Sequence, residues 1–351
     1  MAVSSVSGGL SSLTAYSSLT TDQLASLSTK QIATLTSAQV SNLSTAQVNS
    51  FTTAQIAAIT TSALQGLTTA QTSTLTTAQV AAFTTIEIAN LSTANLTALT
   101  TDQVSAIETV DLAALKTAQI SALTTAQLGA LLSSQIISIT VTQIATLTTA
   151  QVSNMTTDQV ASIETADLAA MTTAQIANLT TAQVANLTTH QIASMTTKEV
   201  AALTTAQVAN MTTAQVVALT TSESAALTTA QVANLTTDQV ASIETADIAA
   251  LTTAQISNLT TAQTANMTTA QVVALKTNAV AALTTAQVAN LTTDQVASIE
   301  TADLAVLTTA HVANLTTAQV ANLTTAQVAA LKTSVISAVT TAQVANLTTA
   351  Q

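Results

Sequence analysis

Carboxylates are the side chains of this chain whose spacing could do chemistry. Twelve of its sixteen acidic residues fall in four sets of identical spacing: Asp102/Glu108/Asp111, Asp158/Glu164/Asp167, Asp238/Glu244/Asp247 and Asp294/Glu300/Asp303. A hard cation such as Ca²⁺ takes several oxygen ligands, and stacked turns could gather three carboxylates with Thr or Asn oxygens. The twelve residues are therefore candidate calcium ligands. The competing reading is solvated charge at helix starts, where the helix dipole favours anions. Neither an EF-hand spacing nor a Gly-rich calcium nonapeptide is present. Lys116, Lys276 and Lys332 take the same place in the repeat as the Glu residues, and could pair with Glu108, Glu244 or Glu300 on neighbouring turns. Exposed pairs of that kind contribute little. His190 and His311 stand alone and read as surface substitutions. Ser and Thr are abundant, but each has a local capping explanation. No nucleophile–base constellation and no phosphate-cradling Gly loop can be built, so the pattern argues against an enzyme and against a resident cofactor.

The elements that carry these residues are copies of one octad, Leu179-Thr180-Thr181-Ala182-Gln183-Val184-Ala185-Asn186. Residues 19–346 hold 41 consecutive octads without insertion, and a further one begins at Leu347. Counting from the Leu, position one is apolar in all 42 copies, and position six in 38 of 41, the exceptions being Thr72, Ser224 and Thr264. Position two is Thr or Ser in 34 of 42 and position five is Gln in 30 of 42. Thr followed three residues later by Gln is a capping box, and the flanking apolar pair is a hydrophobic staple. Asp at position four falls in the first turn, and Asn at position eight tolerates the left-handed conformation that ends helices. Each octad thus predicts a helix of about six residues with its own start signal.

One continuous helix does not fit. Eight residues at about 100° each drift by roughly 80° per octad, so an apolar stripe would sweep the whole circumference. A coiled coil needs periods of seven or eleven. A β-solenoid is the serious alternative, because Thr and Val suit strands. Against it, positions one and six differ in parity, Ala and Gln favour helix, and the repeat body has almost no Gly and no Pro for corners. The expected fold is all-α, a tandem-repeat solenoid of short capped helices. No octad can bury its own Leu and Val, so stacking must supply the core. Residues 1–18 match the octad poorly and read as an N-terminal leader or cap; residues 19–351 form the continuous array. From about residue 99 a larger period appears: the stretch from Asp102 returns at Asp158, Asp238 and Asp294, with a step of seven octads at either end.

Composition excludes several classes of function. The net charge is −11, with five Lys and no Arg, so a nucleic-acid partner would find nothing to neutralise its phosphates. Without Cys there is no disulfide or thiolate metal site. Thr and Gln interrupt every apolar run, which argues against membrane insertion. The N-terminus, Met1 to Gly9, has no basic residue and no apolar core, unlike a classical signal peptide. The expectation is a protein that stays inside or leaves by a route without such a leader. The last repeat, bare at Gln351, is expected either in a piece of a longer chain or in a chain whose ends stack on other copies.

The Leu-Thr-Thr-Ala-Gln arrays, such as residues 203–218 and 315–330, resemble the octapeptide-repeat regions of large secreted bacterial surface proteins of the adhesin and surface-layer type. The resemblance implies a structural, self-assembling protein, an extracellular filament or surface layer whose main partner is itself. The runner-up is a binding array: an adhesin stalk, or Thr-rich surfaces that hold ice or surface glycans. An intracellular scaffold in the cytoplasm is the third reading.

Overall fold

The computed structural model describes residues 16–349 and 351. The expected leader or cap, residues 1–18, lies outside the described residues except at its end. There Tyr16 is buried; its hydroxyl donates to the Gln31 carbonyl at 3.2 Å and meets the Thr34 hydroxyl at 3.0 Å.

The described octads form 41 helices of four to six residues, numbered α1 (Thr21–Ala25) to α41 (Thr341–Val344) in chain order. No strand occurs among the described residues, so the β-solenoid is excluded there. Starts with Thr or Ser followed by Gln are built as the sequence predicts. At α24 (Thr205–Ala209) the Thr204 hydroxyl accepts from Gln207 N–H at 3.1 Å, and Gln207 Oε1 accepts from Thr204 N–H at 2.6 Å. The corner needs neither Gly nor Pro. Position one and the N-cap are both extended, as at Leu235 (φ −59°, ψ 143°) and Thr236 (φ −69°, ψ 161°), and two such residues turn the chain between helices.

One detail differs from expectation. The Asn that closes many helices is right-handed, as at Asn210 with φ −96° and ψ −1°. No described residue has a positive φ. The Asn side chain instead reaches back, its Nδ2–H donating to the carbonyl four residues earlier; Asn210 reaches Ala206 at 2.8 Å. A self-made cap removes the need for a left-handed residue.

The chain divides after Leu179 into two compact units. Within each, a helix packs on the one three places further along: α7 (Thr69–Thr74) on α10 (Thr93–Ala98) in the first, α26 (Thr221–Ala226) on α29 (Thr245–Ala250) in the second. Three octads therefore complete one coil of a solenoid. Positions one and six point into the coil and form its core; Leu203 and Val208 are 4% and 1% exposed. Thr72, Ser224 and Thr264, the polar residues at position six, are buried as well. The hydroxyls of Thr72 and Thr264 donate to the carbonyls of Thr68 and Thr260, four residues back, at 3.0 and 2.8 Å, which satisfies them inside the core. Positions two to four face outward and make a rim of Thr and Ala on every octad. Gly66 is required by close approach: a Cβ there would lie 1.9 Å from the Ser37 carbonyl oxygen of the coil before.

Candidate functional site: the seam at position five

The residue type that the sequence assigns least to is the most fully used. Gln at position five is buried in most octads, and its amide works in two directions. Gln263 is representative. Its Oε1 accepts from Thr260 N–H at 2.6 Å, which is the capping box. Its Nε2 donates to the carbonyls of Leu235 and Val232, in the coil before, at 2.6 and 2.9 Å. In the first unit Gln55 does the same to Leu27 and Leu24, at 2.8 and 2.9 Å. Of the two carbonyls that Gln263 reaches, Val232's already accepts from Leu235 N–H at 3.2 Å, so the amide adds a second bond there; Leu235's stands at the helix end, where a buried carbonyl needs a donor. Within each unit a Gln of this kind therefore starts its own helix and stitches it to the end of another in the coil before. The capping box alone gave no reason for this second role. A signal was nonetheless present: Glu serves a capping box as well as Gln, and the dipole favours it. An amide so dominant means that its N–H groups are needed.

Substitutions at this position show what the seam demands. Asn95 is too short for the box but still donates to the Leu67 carbonyl of the coil before, at 2.9 Å. His311 copies Gln in full. Its Nδ1 accepts from Thr308 N–H at 3.2 Å, and the ring bonds the Leu283 carbonyl, again in the coil before. His311 is thus buried, which corrects the expectation of a surface substitution; only His190 is exposed. Burial lowers its pKa, partly offset by the Leu283 carbonyl.

Acidic residues at position five have no N–H to give. Glu87, Asp111, Asp167, Glu199, Glu223, Asp247 and Asp303 are all buried there. Burial raises the pKa of Glu87, with Asp111, one coil on, adding to the rise against the hydrogen bonds from Thr84. Burial also raises Asp167, reinforced by Glu164. Asp111 is partly satisfied by the Thr85 hydroxyl, which donates to Oδ1 at 2.7 Å.

The four acidic sets are divided by this geometry. Asp102, Asp158, Asp238 and Asp294 sit at position four, exposed in the first turn. Glu108, Glu164, Glu244 and Glu300 are exposed N-caps that make no side-chain cap bond. Asp111, Asp167, Asp247 and Asp303 are turned inward to the seam. The members of a set thus point to different surroundings, and no three His, Cys, Asp or Glu among the described residues group so as to hold a metal ion. Lys116, Lys276 and Lys332 are N-caps whose side chains make no cap bond; at Lys116 the backbone N–H still donates to Gln119 Oε1, at 2.8 Å. No helix among the described residues is long and apolar enough to cross a membrane.

A coil of three short capped helices, stitched at position five, defines a tandem-repeat helical solenoid. The ALTTAQ repeat matches the chain at residues 17–53, 104–141, 160–197, 194–221, 240–277, 272–299 and 296–333, together more than half of its length. The chain belongs to this repeat family. Among curated proteins, none matches it.

Proposed function

We propose that the chain is a structural repeat array that assembles by stacking coil on coil, as the building block of an extracellular filament or surface layer. The observation that supports this best lies in the second unit, between α37 (Thr309–Ala313) and α41. An apolar cleft of about 120 Å³ opens there, walled by aliphatic side chains that include Val312, Leu323, Val328, Ile336 and Val344. Ile336 and Val344 are 47% and 53% exposed, whereas position-six residues inside the same unit, such as Val288, are 1% exposed beneath the next coil. A further coil of octads has the shape and chemistry to cover them, and a second copy of this chain supplies one. Burying such surface favours association at about 25 cal/mol per Å². This reading assigns no catalytic group, no nucleic-acid partner and no membrane insertion, and places the protein outside the cell or on its surface.

The test is sedimentation velocity and electron microscopy of the purified chain over rising concentration, beside the double variant Ile336→Asp/Val344→Asp. Native chain growing into long uniform particles, with the variant held at single-chain size, supports the reading. Native chain that stays at single-chain size at every concentration sinks it. Repeating the native series with calcium and with chelator tests whether the exposed members of the acidic sets take part in contacts. A second reading is favoured by the outward rims of Thr at positions two and three, which suit an adhesin stalk or an ice- or glycan-binding surface. Glycan-array binding or ice recrystallisation inhibition by the single chain supports that alternative.

A further inference from the structure

Position five shows a pattern at the coil period that the seven-octad period hides. Glu199, Glu223 and Asp247 follow one another at steps of three octads, so three successive coils lack the Gln amide at the same seam. They belong to α23 (Thr197–Ala202), α26 and α29, which pack in that order. The ordinary stitch resumes one coil later, where Gln271 donates to Ile243 and Val240 at 2.7 and 2.8 Å.

Glu199 uses one carboxylate oxygen as a Gln would, Oε2 accepting from Thr196 N–H at 2.5 Å. Its other oxygen, Oε1, takes the place of the amide nitrogen. It is buried and has no hydrogen-bond partner. Glu223 keeps the same capping contact, Oε2 accepting from Thr220 N–H at 2.6 Å. The charged groups around the pair do not neutralise it. Lys198 on α23 is exposed; α29 brings Asp247 and, at its N-cap, Glu244. The next helix in the stack, α32 (Thr269–Ala274), carries no charged side chain.

We propose that Glu199 and Glu223 form a proton-operated stitch. A proton taken up by Glu199 turns an oxygen that can only accept into an O–H that can donate, and removes one of the like charges buried along α23, α26 and α29. Proton uptake steadies α23 and α26, and proton loss leaves like charges buried on successive coils. Burial raises the pKa of Glu199, and Glu223 raises it further, against the two hydrogen bonds from Thr196. A carboxyl held above its unfolded value favours the folded state at low pH. That advantage fades as pH rises from the ordinary glutamate range, near 4.3, through the raised value. These coils are therefore tighter in mild acid and looser at neutral pH.

The experiment uses the full chain at concentrations too low for assembly, so its outcome is separate from the filament reading. Hydrogen-exchange protection of the α23 and α26 amides is measured at about pH 5 and about pH 8, in the native chain and in Glu199→Gln/Glu223→Gln. Gln is the commonest residue at this place, so the variant keeps the fold. The expected result is protection about tenfold higher in the variant than in the native chain at the higher pH, the size of one regained hydrogen bond to a buried group, and converging at the lower. Equal protection at both pH values, or the same gain at both, overturns the proposal. Infrared spectroscopy gives an independent reading. A carboxylic-acid band lost in Glu199→Gln and titrating above the usual glutamate range supports the proposal, and absence of such a band overturns it.

Discussion

At the scale of the residue, position five is where this protein is most specific. An amide there accepts from its own helix start and donates to two carbonyls of the coil before, as Gln263 does. Each hydrogen bond contributes about 0.5–1.5 kcal/mol net, and a buried group left unpaired costs about 1–3 kcal/mol. Gln263→Ala is expected to destabilise its unit by about 2 kcal/mol, read from urea unfolding. Gln263→Glu should cost at least as much near neutral pH and less in acid, where the carboxyl gains its own donor. Equal stability of all three chains would mean that the seam contributes nothing. His311 makes the opposite pH prediction. Its folded pKa is lowered, so the stability it supplies is present above the ordinary histidine value, near 6.5, and is lost as pH falls below that value. His311→Gln should therefore melt higher than the native chain at about pH 5 and close to it at about pH 8. A difference that does not change with pH would remove the histidine from the account.

At the scale of the element, helices of four to six residues are far below the roughly 12–15 needed for stability alone. They persist because most starts are capped, most staples are buried, and most ends are reached by an amide from the next coil. A Thr or Ser cap is worth about 1 kcal/mol, and here it recurs in 34 of 42 octads. The weakest elements should then be those where successive coils lack the stitch. In the first unit Ala63, Glu87 and Asp111 follow one another at steps of three octads. Their helices are α6 (Thr61–Leu64), α9 (Thr85–Ile88) and α12 (Thr109–Ala114). Amides of α9 and α12 are expected to exchange with solvent faster at neutral pH than those of α14 (Thr125–Gly129) and α15 (Ser133–Ile137), whose Gln127 and Gln135 are stitched. Uniform protection across the four helices would show that core packing alone sets local stability.

At the scale of the whole molecule, two periods run through one chain and do not agree. The coil repeats every three octads, and the acidic sets step by seven, ten and seven octads. Since seven octads are two coils and one octad more, Asp158 stands one face round from Asp102, and Asp294 one face round from Asp238. Within each unit the two acidic sets therefore lie on different faces of the coil. In a repeat array each coil is stabilised mainly by its nearest neighbours. The apolar cleft at α37 to α41 is the surface on which the proposed coil-on-coil assembly rests.

The octad by itself determined the helices, their starts and the core. A capping box and an apolar staple are contacts between near neighbours in the chain, so Thr204, Gln207, Leu203 and Val208 carry that information locally. The same local logic erred at the helix ends, where Asn210 caps with its side chain in a right-handed conformation. Only the tertiary structure decided that three octads close a coil, because that depends on how the core residues of separate octads meet. From this follows everything at the seam: the second role of Gln, the burial of His311, the inward turn of Asp111, Asp167, Asp247 and Asp303, and the meeting of Glu199 with Glu223. These are relations between octads three and four places apart, and the octad contains them only once its coil period is known.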